Sequence, residues 1–235
     1  LVILEQGHID KSAMRGSWAG AMGHTQFMPS SFVKHAVDHN NDGHKDIWGT
    51  VPDALASTAN YLKDYGWKSG LPWGMEVTLP EGLDLKTALG SKPFAAFAAL
   101  GLKRADGRAL PGRGEASLFM PAGIKGPKFL VTENFKVIKA YNSSDAYALG
   151  VGLLGDMIFG AGGVRAPWPK ADKRLSKAEA IAVQKQLNAR GLYSGKYDGR
   201  FGELSRAAIT RYQLSVGMTP DGYATPALLA RLKQR

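Results

Sequence analysis

Three glycines within eight residues, Gly16, Gly20 and Gly23, limit what residues 16–32 can become. Glycine removes a side chain where a backbone must approach a neighbour closely. Ser17, Gln26 and Phe27 add two polar groups and a flat ring, the mixture a sugar-binding cleft uses. Open backbone beside selected polar and aromatic groups reads as a binding surface for an extended ligand. An Asp-rich segment follows, from Asp38 to Asp53.

At 235 residues the chain has room for one large domain or two ordinary ones. Hydrophobic residues make up 44 %, enough for a core and too many for global disorder. No apolar run approaches the length of a membrane span. Residue 1 is Leu and no signal peptide leads the chain, so the expectation is that processing or trimming removed whatever came before. The absence of cysteine excludes disulfides, thiolate zinc sites and cysteine nucleophiles. The net charge of +10 attracts polyanions: nucleic acid, an acidic wall polymer or an anionic membrane surface. The charge is spread over Lys125, Lys128, Lys136 and Lys139, then Lys170, Lys173, Arg174, Lys177 and Lys185. That spread favours a solvated surface over a nucleic-acid stripe, and no specific nucleic-acid partner is expected.

The pattern divides into four segments. Residues 1–70 read as mostly helical. Thr50 and Asp53 have capping-box spacing, Pro52 suits a first turn, and Leu55, Thr58, Ala59 and Leu62 recur at helical spacing. Gly66 stops that helix and Trp67 folds back on it. Residues 71–140 read as short strands at 75–79, 118–120, 129–131 and 135–138, with a helix at 93–100 and a loop at 105–114. Residues 142–160 return to helix, capped by Ser143 or Ser144. Tyr147, Val151, Leu154 and Ile158 form its apolar stripe, and Gly150, Gly152 and Gly155 imply tight packing against a neighbour. A Gly/Pro linker follows. Residues 174–235 read as a three-helix unit with a weak internal duplication, in which Gly191-Leu192 then Asp198-Gly199 are echoed by Gly217-Met218 then Asp221-Gly222.

Asp38, Asn40, Asp42, Gly43, His44 and Asp46 match the front half of a calcium loop, with oxygens at positions one, three, five, seven (the His44 carbonyl) and nine. Position twelve is Gly49 rather than Glu, and Asp53 could return the missing carboxylate from a longer loop. The alternative is an Asp-rich turn capping its own backbone. The five histidines lack zinc spacing with a catalytic Glu, and no nucleophile elbow, P-loop or dinucleotide fingerprint is present. Tyr141, Asn142 and Tyr147 flank the start of the third segment's helix. They read as core packing or as a cleft wall, and the sequence by itself favours packing.

Taken together, residues 16–32, the Asp loop at 38–46, Ala-Ser-Thr-Ala-Asn-Tyr-Leu at 56–62 and Tyr-Asn-Ser at 141–143 resemble the membrane-bound type B lytic murein transglycosylases. The resemblance spans about 1–169. Residues 174–235 resemble the helical type 1 peptidoglycan-binding domain, through Val183-Gln184, Leu187, Gly191-Leu192, Asp198-Gly199, Phe201-Gly202, Tyr212-Gln213 and Asp221-Gly222. What this implies is a mainly α (α+β) chain: a lysozyme-like helical domain with a small β-containing insertion, then a small three-helix domain. The domains would be 1–160, the C-terminal part of the catalytic domain; 161–173, a linker; and 174–235, the wall-binding module.

The implied reaction cleaves the MurNAc–GlcNAc β-1,4 bond without water and leaves a 1,6-anhydro sugar. One Glu protonates the leaving oxygen and then accepts the proton of the attacking C6 hydroxyl, the substrate's N-acetyl group stabilising the cation. Such an acid needs a raised pKa from a partly apolar pocket. By the family pattern Ser17 supports the acid and the sugar, and Gln26, Phe27, Tyr61, Tyr141, Asn142 and Tyr147 line the cleft. Asp38, Asn40, Asp42, the His44 carbonyl and Asp53 hold a structural Ca²⁺, with no cofactor for the chemistry. The family's catalytic Glu precedes the Gly-Ser-Trp-Ala-Gly segment by several tens of residues, and only fifteen residues precede Gly16. The expectation is therefore a chain without its catalytic acid, which an upstream segment or a second chain supplies. The implied partner is the peptidoglycan glycan strand and the implied location the periplasm, soluble or lipid-anchored, with outer-membrane association through a missing N-terminus. The competing reading is a wall-binding module without catalysis.

Overall fold

Helix forms only a minor part of the first seventy residues in the computed structural model, which describes residues 1–170 and 174–234. Two units divide the chain, Leu1–Ser69 and Gly70–Arg235. The first holds α1 (Val2–Glu5), α2 (Pro29–His35) and α3 (Val51–Asp64), joined by long turns. The expectation of a mostly helical segment fails because glycines and Asp side chains claim the backbone hydrogen bonds between these helices. Pro52 sits in the first turn of α3 as expected, and Gly66 ends the helix at φ +91°. The Trp67 N–H then returns to the Leu62 carbonyl at 3.0 Å.

The capping box does not form. The Thr50 hydroxyl donates to Asp46 Oδ2 at 3.0 Å, and Asp53 turns inward. The buried face of α3 is Asp53, Ala54, Ser57 and Tyr61, whereas Leu55 is exposed, the reverse of the apolar stripe expected. A polar inner face is affordable because each buried group is bonded. Ser57 Oγ accepts the Val37 N–H at 2.9 Å, and Asp53 accepts two backbone donors.

The second unit opens with a five-stranded sheet: β1 (Gly74–Thr78), β2 (Ser91–Pro93), β3 (Lys103–Arg104), β4 (Glu115–Phe119) and β5 (Lys128–Val131). Its order is β2-β4-β5-β1-β3 and every pairing is antiparallel. Met75 and Leu118 both face Leu130 across the ladder. α4 (Phe94–Ala99) lays Phe94 and Phe97 into the core formed with Met75, Val77, Ala116 and Leu130. Full burial of each such side chain contributes about 1.5–3 kcal/mol.

The strand expected at 135–138 is instead part of α5 (Glu133–Tyr141). Thr132 caps it by accepting the Asn134 N–H at 3.2 Å, and the buried Asn134 amide donates to the Leu71 carbonyl at 2.6 Å. α6 (Asp145–Ile158) starts at Ser144, whose hydroxyl accepts the Tyr147 N–H. Its buried face is Ala148, Leu149 and Gly152. The expected stripe points the other way: Tyr147, Val151, Leu154 and Ile158 are exposed.

The linker expected at 161–173 is anchored where it is described. Both Glu76 carboxylate oxygens, on β1, accept backbone N–H groups, from Arg165 at 2.8 Å and Ala166 at 2.7 Å. Its last three positions, 171–173, lie outside the described residues. α7 (Lys177–Ala189), α8 (Glu203–Ser215) and α9 (Pro226–Lys233) then pack Val183, Leu187, Ile209, Leu228 and Leu232 into one core. Ser176 and Glu179 form a complete capping box on α7.

Candidate functional site

Residues 16–27 form a knot of two consecutive turns. Gly16 and Met22, then Met22 and Phe27, pair as antiparallel bridges. Ser17 closes the first turn, its N–H donating to the Ala21 carbonyl at 2.8 Å and its Oγ accepting the Ala21 N–H at 3.2 Å. A side chain at Gly23 would stand 2.5 Å from the Ile47 carbonyl oxygen, so only glycine lets the backbone at Ile47 lie against this turn. Gln26 is exposed at φ +52°, a left-handed conformation uncommon for a non-glycine residue. Its Nε2 donates to the Gly23 carbonyl at 2.9 Å. The turn therefore holds the Gln26 amide at the surface with one group engaged.

Phe27 and Tyr61, expected as cleft walls, are buried. Their rings lie 5.6 Å apart, and His35 stands 4.8 Å from Tyr61. Tyr65 stacks on Tyr61 at 4.4 Å, and His35 Nδ1 meets Asp64 Oδ2 at 2.8 Å. This cluster fixes α2 against α3 and sets the backbone beneath Gln26. His35 and Tyr65 did not stand out in the sequence, because nothing in their spacing reveals that α2 and α3 pair.

In the Asp loop the carboxylates fold back on the backbone. Asp38 accepts from Asp42 N and Gly43 N, and Asp42 Oδ1 accepts the His44 N–H at 2.8 Å. Asp53, 0 % exposed, accepts from His39 N with one oxygen and from Asp46 N with the other, both at 2.9 Å. The late carboxylate thus returns to the loop. The His44 N–H and the Asn40 amide hold the Asp42 carboxyl below the usual carboxylate range. At Asp46 burial acts upward, but the Gly49 and Trp48 N–H groups and the Thr50 hydroxyl outweigh it and lower the carboxyl. The donors are all hard oxygens, the set that suits Ca²⁺. Among the described residues, no three His, Asp or Glu side chains converge as a formed metal centre.

Tyr141, Asn142 and Tyr147 belong to the second unit. Tyr141 is half-buried at the end of α5, and Asn142 and Tyr147 are exposed. Asn142 Oδ1 accepts the Ser144 N–H at 3.1 Å, shaping the turn into α6. The first residue of α6, Asp145, is held between Lys139 at 2.8 Å and Arg206 of α8 at 3.1 Å. Arg206 also lies over the Phe119 ring at 5.2 Å. This junction ties the turn carrying Asn142 to the C-terminal helices.

No glutamate among the described residues is buried. Of the two that are half-buried, Glu76 accepts the N–H groups of Arg165 and Ala166 with its two oxygens, and Glu179 Oε2 accepts the N–H and the hydroxyl of Ser176.

Residues 1–156 match the transglycosylase SLT domain family, and residues 176–232 match a peptidoglycan binding domain. The chain belongs to the transglycosylase SLT family. It is 37% identical over 155 residues to membrane-bound lytic murein transglycosylase B of Escherichia coli (strain K12), 63% of this chain and 41% of that protein. SltB3 from Pseudomonas aeruginosa, solved with NAG-anhNAM-pentapeptide, superposes with a TM-score of 0.88 at 48% identity, covering 99% of this chain and 64% of that one. The Escherichia coli lytic transglycosylase Slt35, solved with calcium, gives a TM-score of 0.53 at 33% identity over 67% of this chain and 50% of that one. The chain therefore spans less than two thirds of the length of these relatives. With nine helices and one small sheet among the described residues, its architecture is the mainly α, lysozyme-like one the motifs imply. No helix among the described residues is long and apolar enough to cross a membrane.

Proposed function

We propose that this chain is the glycan-holding and wall-binding part of a peptidoglycan lytic transglycosylase, which cleaves the MurNAc–GlcNAc bond to a 1,6-anhydro product. One observation carries this reading. A single chain joins the SLT and peptidoglycan-binding matches and aligns over 99% of its length with a structure holding an anhydro-sugar ligand. Each unit presents its own contacts to the strand: Ser17 and Gln26 in the first, with the buried Tyr61 supporting them from beneath; Tyr141, Asn142 and Tyr147 in the second. Phe27 acts from beneath, by fixing the backbone of Gln26. Residues 174–235 form the anchoring module, and the location is the periplasm.

The acid is supplied from outside residues 1–235. A general acid working near neutral pH sits in an apolar pocket, and no glutamate among the described residues is buried. The exposed stripe of α6 supports the same view, since contiguous apolar surface of this kind marks an interaction face. Purified cell walls, followed by turbidity and mass spectrometry of the released fragments, test the proposal. This chain alone should release no anhydro-muropeptide, and joining it to an upstream segment with a Glu-bearing helix should produce them. Hydrated reducing ends would contradict the reaction. The specific observation behind the competing non-catalytic reading is that same lack of a buried glutamate. Failure of the extended chain to cleave would favour it.

Ca²⁺ is the proposed structural ion, held by Asp38, Asn40, Asp42, the His44 carbonyl and Asp53. The Slt35 structure with calcium and the all-oxygen donor set support it. Chelation should lower the melting temperature by ligand linkage. Asp42→Ala should produce the same shift and abolish any further response to chelator, whereas unchanged melting in both would leave an Asp-rich turn without metal.

A further inference from the structure

The duplication within 174–235 has a physical basis that leaves one of its two copies unused. In each half a buried glutamine staples an Asp-Gly turn. Gln184 Nε2 donates to Asp198 Oδ1 at 3.2 Å, and its Oε1 accepts the Gly199 N–H at 2.9 Å. Gln213 Nε2 donates to Asp221 Oδ1 at 2.7 Å, and its Oε1 accepts the Gly222 N–H at 2.9 Å. In both turns the N–H two residues on, of Arg200 or Tyr223, also donates to Oδ1. The two turns thus share one bonding scheme and present the second carboxylate oxygen outward.

In the second half that oxygen is occupied. Asp221 Oδ2 accepts the backbone N–H of Ile124 at 3.0 Å, so this turn binds a stretch of peptide from elsewhere in the same unit. In the first half, Asp198 Oδ2 accepts from no other residue among the described residues. Asp198 instead borders a groove of about 920 Å³, which Asn142, Ser143 and the acidic Glu203 also line. Lys196 and Arg200 line the same groove, and their side chains make no hydrogen bond or ion pair among the described residues. The turn bearing Lys196 is held in place, its carbonyl accepting the Tyr193 hydroxyl at 2.8 Å. Asp145 in the groove is already neutralised by Lys139 and Arg206.

We infer that this groove binds the peptide carried by the wall glycan. Asp198 Oδ2 accepts one amide N–H of that peptide, as Asp221 Oδ2 does from Ile124, and Lys196 and Arg200 meet its carboxylates. The lining carries four cations (Lys139, Lys196, Arg200 and Arg206) against three carboxylates (Asp145, Asp198 and Glu203), an excess that an uncharged sugar chain would not meet; a peptide supplies an amide donor and at least one carboxylate. The inference rests on the wall-polymer reading above and adds the part of the polymer that the groove between α6 and α8 recognises.

The test is calorimetric titration of the full chain with NAG-NAM-pentapeptide and with the same disaccharide lacking its peptide. The peptide-bearing compound should bind about tenfold more tightly, the size expected of a charge-assisted contact. Asp198→Asn, which keeps the Oδ1 bonds, and Arg200→Ala, whose side chain bonds nothing in the fold, should each reduce that preference and leave peptide-free binding unchanged. Should Asp198→Asn also melt lower, Arg200→Ala still decides, since it removes no internal bond. Equal binding of both compounds by the unaltered chain would overturn the groove assignment and leave the glycan reading standing. So would variants that keep the preference, or that weaken both compounds alike. Binding of neither compound would overturn both.

Discussion

Asp53→Ala is expected to destabilise the first unit by about 3–5 kcal/mol, the largest single effect in that half of the chain. The side chain is 0 % exposed, and its two oxygens are the acceptors for His39 N–H and Asp46 N–H. Removing a buried acceptor costs each abandoned donor about 1–3 kcal/mol, and losses beyond about 4 kcal/mol are confined to such mechanisms. Asp53→Asn should lose less, because one oxygen remains. Urea unfolding, read as a change in midpoint at constant slope, measures both. If Asp53→Ala unfolds within about 1 kcal/mol of the unaltered chain, the carboxylate is not what joins the Asp loop to α3. The same residue is the proposed late ligand for Ca²⁺, so the variant should also lose its response to chelator.

The second large effect is a reversal of sign along one helix. Glycine in a helix interior is worse than alanine by about 1 kcal/mol. Gly150 and Gly155 of α6 face open space, so alanine at either should stabilise by about 0.5–1 kcal/mol. At Gly152 a Cβ would stand 2.5 Å from Cε2 of the Trp73 indole. That ring is buried, bonded through Nε1 to Asp156 at 2.9 Å and packed 6.0 Å from Phe135. It cannot swing away cheaply, so Gly152→Ala should destabilise by about 1–3 kcal/mol, as overpacking does. Thermal melting of the three variants reads the pattern directly. A stabilised Gly152→Ala would mean that α6 does not pack on Trp73.

Much of the local structure was readable from short signals. Ser144 before α6 and Gly66 after α3 act within one turn of their own position. Their chemistry is complete in the sequence, and they stand where expected. The run 135–138 was misread because four residues of an apolar segment suit a strand or a helix equally. Thr132, which caps it, and Asn134, which ties it to Leu71, decide for helix. The tight packing expected of three glycines holds at one of them, since spacing does not tell which neighbour lies over which residue.

The candidate site shows the same division. The turns at Ser17, at Gln26 and in the Asp loop bond to themselves over two to five residues, so their shape depends on neighbours along the chain. The burial of Phe27 and Tyr61 was not legible in the sequence, because it depends on the pairing of α2 with α3. Nor were the glutamine staples, whose partners lie eight to fifteen residues away and look like ordinary surface amides.

By itself the amino-acid order determined the family motifs, the run of oxygen-bearing side chains in the Asp loop, the helix ends at Ser144 and Gly66 and the repeated Asp-Gly pairs, all signals carried by neighbours along the chain. Only the tertiary structure decided which faces of α3 and α6 turn inward, and that Asp145 meets Arg206 across sixty-one positions. It also decided that one of two equivalent turns is already filled by the protein's own backbone. The reason is physical: a local bond needs only the residues that make it, whereas burial and long-range pairing depend on what every other segment has already covered.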